Sequence, residues 1–516
     1  MFLDGGLPMN RRTRFIHIAF AAGILLVPFS AVPISAATVP AASCSQAHVQ
    51  TAIDRAAAGD TVLVPAGTCT WSTMVRITGK RLKLLGAGID ITNINDSTTS
   101  GALGITASTA DFVDVSGFTF IKARANSDGM VQIAGTQGDV SFRFHHNRLF
   151  DNRVAGGRGI YVSSTYGLID HVTIDVTDTT TSDQMISVDG SSIGSDGGYT
   201  PWMQPLSLGT NKAVYVEDCT FTVANQNEDV IDAYSGARLV IRHNVFNDTA
   251  VGFHGTDSGG NRGVVSVELY DNAFTNNSAN QRRAVTNRGG TALYFNNSYG
   301  GTRGYAGLTL LSYRATIADN YTWNRCDGTR YDIGSATFST DASRTTTTYG
   351  TAARFLASNP DAVCTGSTAG VCSRGFDGSG ARGYPCRDQP GRGPNGQTLS
   401  PIYAWNNGGI RIETYDGGCS ACGGLPISTW VAENRDYYNV VPSGFNGTVG
   451  VGQGVLANRP STCTPLTAYF AADVGPQGTL YQCATPNLWK EHYVPYTYPH
   501  YLQDGAPAPP TNLTIK

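Results

Sequence analysis

Charge is scarce in this chain. Asp, Glu, Lys and Arg make up 15% of its 516 residues, against about 25% in ordinary globular proteins. The two signs nearly cancel, leaving a formal net charge of -3 and a pI near 6.3. That balance excludes a basic field for nucleic acid and provides no acidic tail. An anionic ligand would have to be met by a local cluster of cations. Beyond the N-terminus no apolar run is long enough to span a membrane. Cys419 and Cys422 form a Cys-x-x-Cys, but no second such motif or histidine pair follows at ligand spacing, so structural disulfides are the better expectation than zinc. The two-residue hairpin turns of a β-sandwich do not dominate either.

Glycine, in contrast, is abundant at 61 residues, well above the usual share of about 7%. The N-terminus carries Arg11, Arg12 and Arg14, an apolar run from Phe15 to Val27, and Ser35-Ala36-Ala37. This is the pattern of a secretory signal over 1–37, with the mature chain starting near Thr38. All 11 cysteines follow it, as expected for a chain oxidised after export. Cys44 and Cys69 bracket the first helix and strand and are expected to pair. Cys219 lies in the strand-like run VYVEDCTF and is expected to stay a buried free thiol.

Ser45 can cap a helix over 45–58, in which Val49, Ala52, Ile53 and Ala56 share one face and Gly59 ends the helix. Short β runs then recur at 61, 82, 111, 140, 167, 213, 238, 265, 291 and 308. Their starts lie mostly about 20–30 residues apart, the period of a solenoid. Side chains alternate within a run, so Val265, Val267 and Leu269 oppose Ser266, Glu268 and Tyr270. Many runs end in Asn or Asp, as at Asn147, Asn244, Asn272, Asn297 and Asn320. These are residues that tolerate the left-handed region and suit a repeated turn. The pattern predicts stacked parallel coils over 38–324, capped by the helix. A Cys-rich insertion follows over 325–400, then a return of strand texture over 401–505 and a Pro-rich tail over 506–516.

The stretch from Asn272 to Asn297, with Arg283 and Arg288 five residues apart before Gly289-Gly290, resembles the catalytic rung of the pectate lyases. The likeness extends over roughly 38–320. Gly167–His171 and Val214–Asp218 resemble the family's apolar rungs that end in Asp-His. The resemblance implies an all-β, right-handed parallel β-helix and calcium-assisted β-elimination of an acidic, uronate-containing polysaccharide. Arg283 would be the base and Arg288 would bind the substrate carboxylate, while Asp183, Glu228 and Asp232 would hold Ca²⁺ through hard oxygen ligands. Two positions depart from the family: Val285 replaces its proline, and Thr249 or Ala250 stands where its lysine is expected. Arg262 and Arg282 are the candidates to supply that cation, and His254 is a further substrate-binding candidate.

The expected protein is secreted and monomeric, with no nucleic-acid partner and no membrane association after signal cleavage. Two other readings stay open. His254 in Gly-Phe-His-Gly resembles the Gly-His-Gly of the polygalacturonases, which would mean hydrolysis by paired carboxylates, although the Asn-Thr-Asp and Asp-Asp motifs of that family are lacking. A non-catalytic β-helix that binds glycan is the other.

Overall fold

The computed structural model describes residues 36–122, 129–151, 157–177, 183–191, 198–223, 229–255, 262–310, 336–338, 362–364, 370–374, 388–394, 398–415 and 431–503. The expected signal segment and Asn320 lie outside them. The chain divides into Met1–Ala36 and Ala37–Lys516, and the fold belongs to the second unit. No helix among the described residues is long and apolar enough to cross a membrane.

Between Thr38 and Asn439 the chain winds as a right-handed parallel β-helix of three sheets, with twelve, nine and ten strands. One coil shows the pattern. Arg238–Arg242 lies in the first sheet, Val245–Asn247 in the second and Ala250–Phe253 in the third, and each pairs in parallel with strands of the coils before and after it. The sequence runs that read as single strands are therefore two. Val140–His145 and Arg148–Asp151 belong to different sheets, because one left-handed residue turns the corner between them.

That corner residue is His146, His171, Asp218, His243, Asp271, Asn296 or Asn406, with φ between 49° and 57°. The asparagine expected to adopt this conformation is instead the residue after it, and its side chain bonds the neighbouring coil. Asn272 Oδ1 accepts from the backbone N–H of Asn244 at 3.0 Å, and the N–H of Asn272 donates to Asn297 Oδ1 at 3.1 Å. The ladder continues to Asn407. It satisfies backbone donors that the turn leaves unpaired in the interior. Cys219 occupies one rung as a buried free thiol, as its strand context predicts, and burial pushes its pKa up.

Inside the second sheet, Phe221, Phe246, Phe274 and Tyr299 stack coil on coil with centroids 4.7, 4.5 and 5.2 Å apart. This is close to the strand spacing of about 4.8 Å, so identical register brings aromatic over aromatic. The helix Gln46–Arg55 covers the N-terminal end and buries Val49, Ala52 and Ile53. Ser45 takes the extended N-cap backbone but makes no side-chain cap bond. The disulfide Cys44–Cys69 ties this cap to the first coil, and a second, Cys463–Cys483, lies near the C-terminus.

The described strands of the β-helix break off at Leu308–Leu310 and resume at Ile402–Trp405, where Leu293 pairs with Tyr403. Within the excursion, Ala336–Phe338, Ala362–Cys364 and Gly370–Arg374 form a small antiparallel sheet. Further on, strands between Val451 and Tyr493 form a four-stranded sheet that packs on the outer face of the first sheet. Tyr215, Val240, Tyr270, Phe295, Tyr403 and Trp405 are sealed there against Phe470, Leu480 and Tyr493.

The sealed face also holds charge. Arg242 is fully buried and donates through Nε to Glu217 Oε1 at 2.7 Å and through Nη2 to the Thr497 carbonyl at 2.8 Å. Glu268 accepts from Tyr493 Oη at 2.6 Å and from the Gly209 N–H at 2.8 Å, and burial pushes its carboxyl up to about 7.

Candidate functional site

With the first sheet covered, the third sheet presents the outer face that carries the sequence-predicted site residues. Period-two alternation buries Ile160 and Val162, Ile186 and Val188, Ile231 and Ala233, Val251 and Phe253 in the core. The residues between them point outward. Strand register aligns Tyr161, Ser187, Asp232, Gly252, Thr286, Thr309 and Glu413 in one row across successive coils. The next row contains Asp189 and Tyr234, followed at the strand ends by His254 and Arg288.

A β-bulge places one carboxylate. Asp229 pairs with Ala250 and Ile231 with Val251, so Val230 is the extra residue. Val230 and Ile231 are both buried in the core. Strict alternation counted back from Ile231 would turn Asp229 into the coil if the strand began that early. In fact it begins at Asp229, and the bulge turns that carboxylate out. A Cβ on Gly252 would lie 1.8 Å from Asp229 Oδ2, so the glycine leaves the space the carboxylate fills. Asp232 is the direct strand partner of Gly252, which brings two carboxylates to one place on the face.

Asp232 is 2% exposed, and its Oδ1 lies 2.6 Å from His254 Nδ1. Hydrogen-bonded to a carboxylate, Nδ1 carries the proton and Nε2 presents a lone pair. The His254 ring meets Tyr234 edge-on at 6.1 Å, and Arg288 lies on the opposite side, one coil further along. Burial raises the Tyr234 phenol above its ordinary range, and the nearby Asp189 adds to the shift. Asp189 accepts from Tyr161 Oη and from the N–H and Oγ of Ser191, each at 2.9 Å. Its carboxyl is raised all the same, because burial outweighs those bonds. The Arg158 guanidinium sits 5.0 Å from the Tyr161 ring and 6.0 Å from that of Tyr234.

The predicted arginines do different things. Arg283 is half-buried and lies 3.6 Å over the ring of Tyr415, an exposed aromatic, and its Nε has no hydrogen-bond partner among the described residues. Arg288 is 7% exposed and donates its backbone N–H to the Phe253 carbonyl at 3.0 Å. Arg282 is buried, with Nη1 donating to the Asp248 carbonyl at 2.7 Å. Arg262 is 1% exposed, bound in bidentate fashion by Asp388 at 2.6 Å and stacked 4.5 Å from Trp202. Its charge is spent on holding the returning excursion against the coils. Of the predicted metal ligands, Asp232 is on the face, while Glu228 and the side chain of Asp183 lie outside the described residues.

Sequence reasoning did not single out Tyr161, Asp189, Tyr234, Asp388 or Tyr415. The alternation in Ile-Ser-Val-Asp and Ile-Asp-Ala-Tyr was the available signal for Asp189 and Tyr234.

No family model matches this chain, and no curated protein matches it. Among solved structures it is similar to an alginate lyase from Paenibacillus sp. str. FPU-7, with 17% identity over 52% of this chain and 96% of that one and a TM-score of 0.31. It is also similar to ORF18 of Geobacillus virus E2, with 12% identity over 53% and 57% and a TM-score of 0.29. A third is the catalytic domain of a GH87 α-1,3-glucanase in complex with nigerose, with 9% identity over 81% and 70% and a TM-score of 0.24. At these values the likeness carries nothing about substrate or chemistry.

Proposed function

We propose that the protein is a secreted, pectate lyase-like polysaccharide lyase that cleaves a uronate-containing chain by β-elimination on the outer face of the third sheet. The observation that carries this reading is His254, fixed at Nδ1 by Asp232 at 2.6 Å and flanked by Arg288 and Tyr234 on adjoining coils. A uronate carboxylate beside Arg288 loses part of its charge, which acidifies the proton on the neighbouring C5. His254 Nε2 takes that proton, the C4–O4 bond breaks and a C4=C5 double bond forms. Tyr234, kept protonated by its raised pKa, supplies a proton to the departing O4.

This assigns the base to an imidazole and not to Arg283, because a guanidinium does not give up its proton in a protein. Arg283, stacked on the exposed Tyr415, suits binding of a further acidic sugar.

Asp229 lies against Gly252, whose strand partner is Asp232, and the two carboxylates are the hard oxygen donors that would hold a calcium ion here. When bound, the ion would supply positive charge toward a substrate carboxylate. The two disulfides among the described residues accord with an oxidising compartment outside the cytoplasm.

One observation favours a second reading. Asp189 shares the face with Asp229 and Asp232 and burial raises its carboxyl, and a pair of carboxyl groups flanking the scissile bond is the equipment of a glycosidase. Incubation with a panel of acidic and neutral polysaccharides, with Ca²⁺ or a chelator, separates the possibilities. Ultraviolet absorbance of an unsaturated uronate, lost in His254→Gln, supports elimination. New reducing ends without that absorbance would support hydrolysis, and retained glycan binding without cleavage would support a binding protein.

A further inference from the structure

Away from the third sheet, the corner between the first and second sheets carries a histidine cluster that the proposed reaction does not use. His145 and His146 lie on one coil, Asp170 and His171 on the next and Asp114 on the one before. His145 Nε2 is 3.0 Å from Asp114 Oδ1, and His145 Nδ1 is 2.8 Å from His146 Nδ1. His171 stacks on His146 with centroids 4.6 Å apart and bonds Asp170 Oδ2 through Nδ1 at 2.9 Å. Arg143 also holds Asp170, donating to it through Nε at 2.9 Å and Nη2 at 2.7 Å.

One ligand atom from each of His145, His146 and Asp170 falls within 4.8 Å of the others. With its Nε2–H directed at Asp114, His145 presents an Nδ1 lone pair toward His146, so one proton bridges the two rings where a cation could sit. A carboxylate that grips the far N–H of an imidazole is the arrangement that orients histidine ligands at metal centres. Asp170 accepts three hydrogen bonds, and a carboxylate has about four lone-pair sites, which leaves one for a metal.

We propose that His145, His146 and Asp170 bind a divalent transition-metal ion of the zinc, nickel and copper class, with Asp114 orienting His145. Two imidazole nitrogens and one oxygen suit those ions and not Ca²⁺ or Mg²⁺, which demand oxygen ligands. The ion would clasp two successive coils at the place where Arg143 Nη1 also donates to the Gln503 carbonyl at 2.9 Å.

The test uses the full chain without an affinity tag, titrated with Zn²⁺ and Ni²⁺ by calorimetry and with Cu²⁺ by electron paramagnetic resonance, with Ca²⁺ as the control. One saturable equivalent of metal with nitrogen hyperfine coupling is expected. His146→Asn should abolish it and keep the fold, because His146 is exposed and Asn occupies the equivalent left-handed corner at Asn296 and Asn406. Asp114→Asn should weaken binding roughly 10–100-fold. Absence of saturable binding in the wild type, or unchanged affinity in a folded His146→Asn protein, would overturn the proposal.

Discussion

Gly252→Ala puts a methyl group where the Asp229 carboxylate now lies. The new Cβ would be 1.8 Å from Oδ2, 2.3 Å from Cγ and 2.8 Å from Cβ of Asp229. Restoring even a 3.0 Å separation from Oδ2 moves that oxygen by about 1.2 Å. Val230 and Ile231 anchor the bulge in the core, so the side chain must swing, and a small shift of the backbone relieves the 2.8 Å contact with Asp229 Cβ. A displacement of this size at a substrate-binding or metal-binding group costs roughly 10²-fold in rate, or about 2.7 kcal/mol of transition-state stabilisation. Gly252 has no left-handed backbone to lose, and the extra methyl faces outward, so thermal stability should fall by less than about 1 kcal/mol. The assay pairs initial rates of unsaturated-uronate release with a thermal melt. In a double-mutant cycle, adding Gly252→Ala to Asp229→Gly should cost little more, because the contacts with Oδ2, Cγ and Cβ are then all gone. A Gly252→Ala enzyme with wild-type rates would refute the reasoning, as would equal losses from Gly252→Ala in the presence and absence of the Asp229 carboxylate.

Asp232→Asn should lower kcat/KM by roughly 10²–10⁴-fold, the share of a positioned acid–base group, with glycan binding retained and the pH–rate profile displaced; an unchanged profile would count against His254 as base. Arg242→Ala leaves Glu217 buried without its partner and should destabilise the protein by about 3–5 kcal/mol. Because Arg242 also holds the Thr497 carbonyl, limited proteolysis should then open the segment after Tyr493 first. Burial raises Glu268 from 4.5 to about 7 in the folded state, so the native protein binds more protons than the unfolded one between those values. The contribution is full below about pH 4.5 and is lost as pH rises through 7. Glu268→Gln should remove that decline from a plot of melting temperature against pH. His500, lowered to about 3 by burial and by Arg242, acts in the opposite sense as pH falls below 6.5, and its effect should remain.

The coil repeat was legible because the β-helix is built from local rules: Val267 and Leu269 face the core as their alternation predicts. What alternation could not show is that Glu268 and Tyr270, on the other side, are buried as well. The partner that buries Glu268 is Tyr493, 225 residues away, and no periodicity carries that contact. The bulge at Val230 hid Asp229 for a related reason, since one extra residue inverts the side on which alternation places a side chain. Arg283 and Arg288 read as a pair from their spacing, but the strand Val285–Asn287 lies between them and sends them to different neighbours. His254 finds Asp232 only through the stacking of two coils, which requires the coil length before the contact can be foreseen. Arg262, expected on substrate, meets Asp388 from 126 residues downstream.

Most coils close on the one before after about 25–30 residues, as the Asn272–Asn297 separation of 25 illustrates. The largest departure is the return from Asn297 to Asn407, at a separation of 110. Loop-closure entropy grows only with the logarithm of length, so roughly two doublings add about 1.2 kcal/mol. The bidentate grip of Asp388 on Arg262, reinforced by the bond from the Gly263 N–H at 3.1 Å, is on a scale that offsets that amount. A large insertion can therefore be carried or exchanged between two coils while the ladder continues across it in register. Descent with variation could remodel whatever borders the outer face of the third sheet without re-solving the fold beneath it.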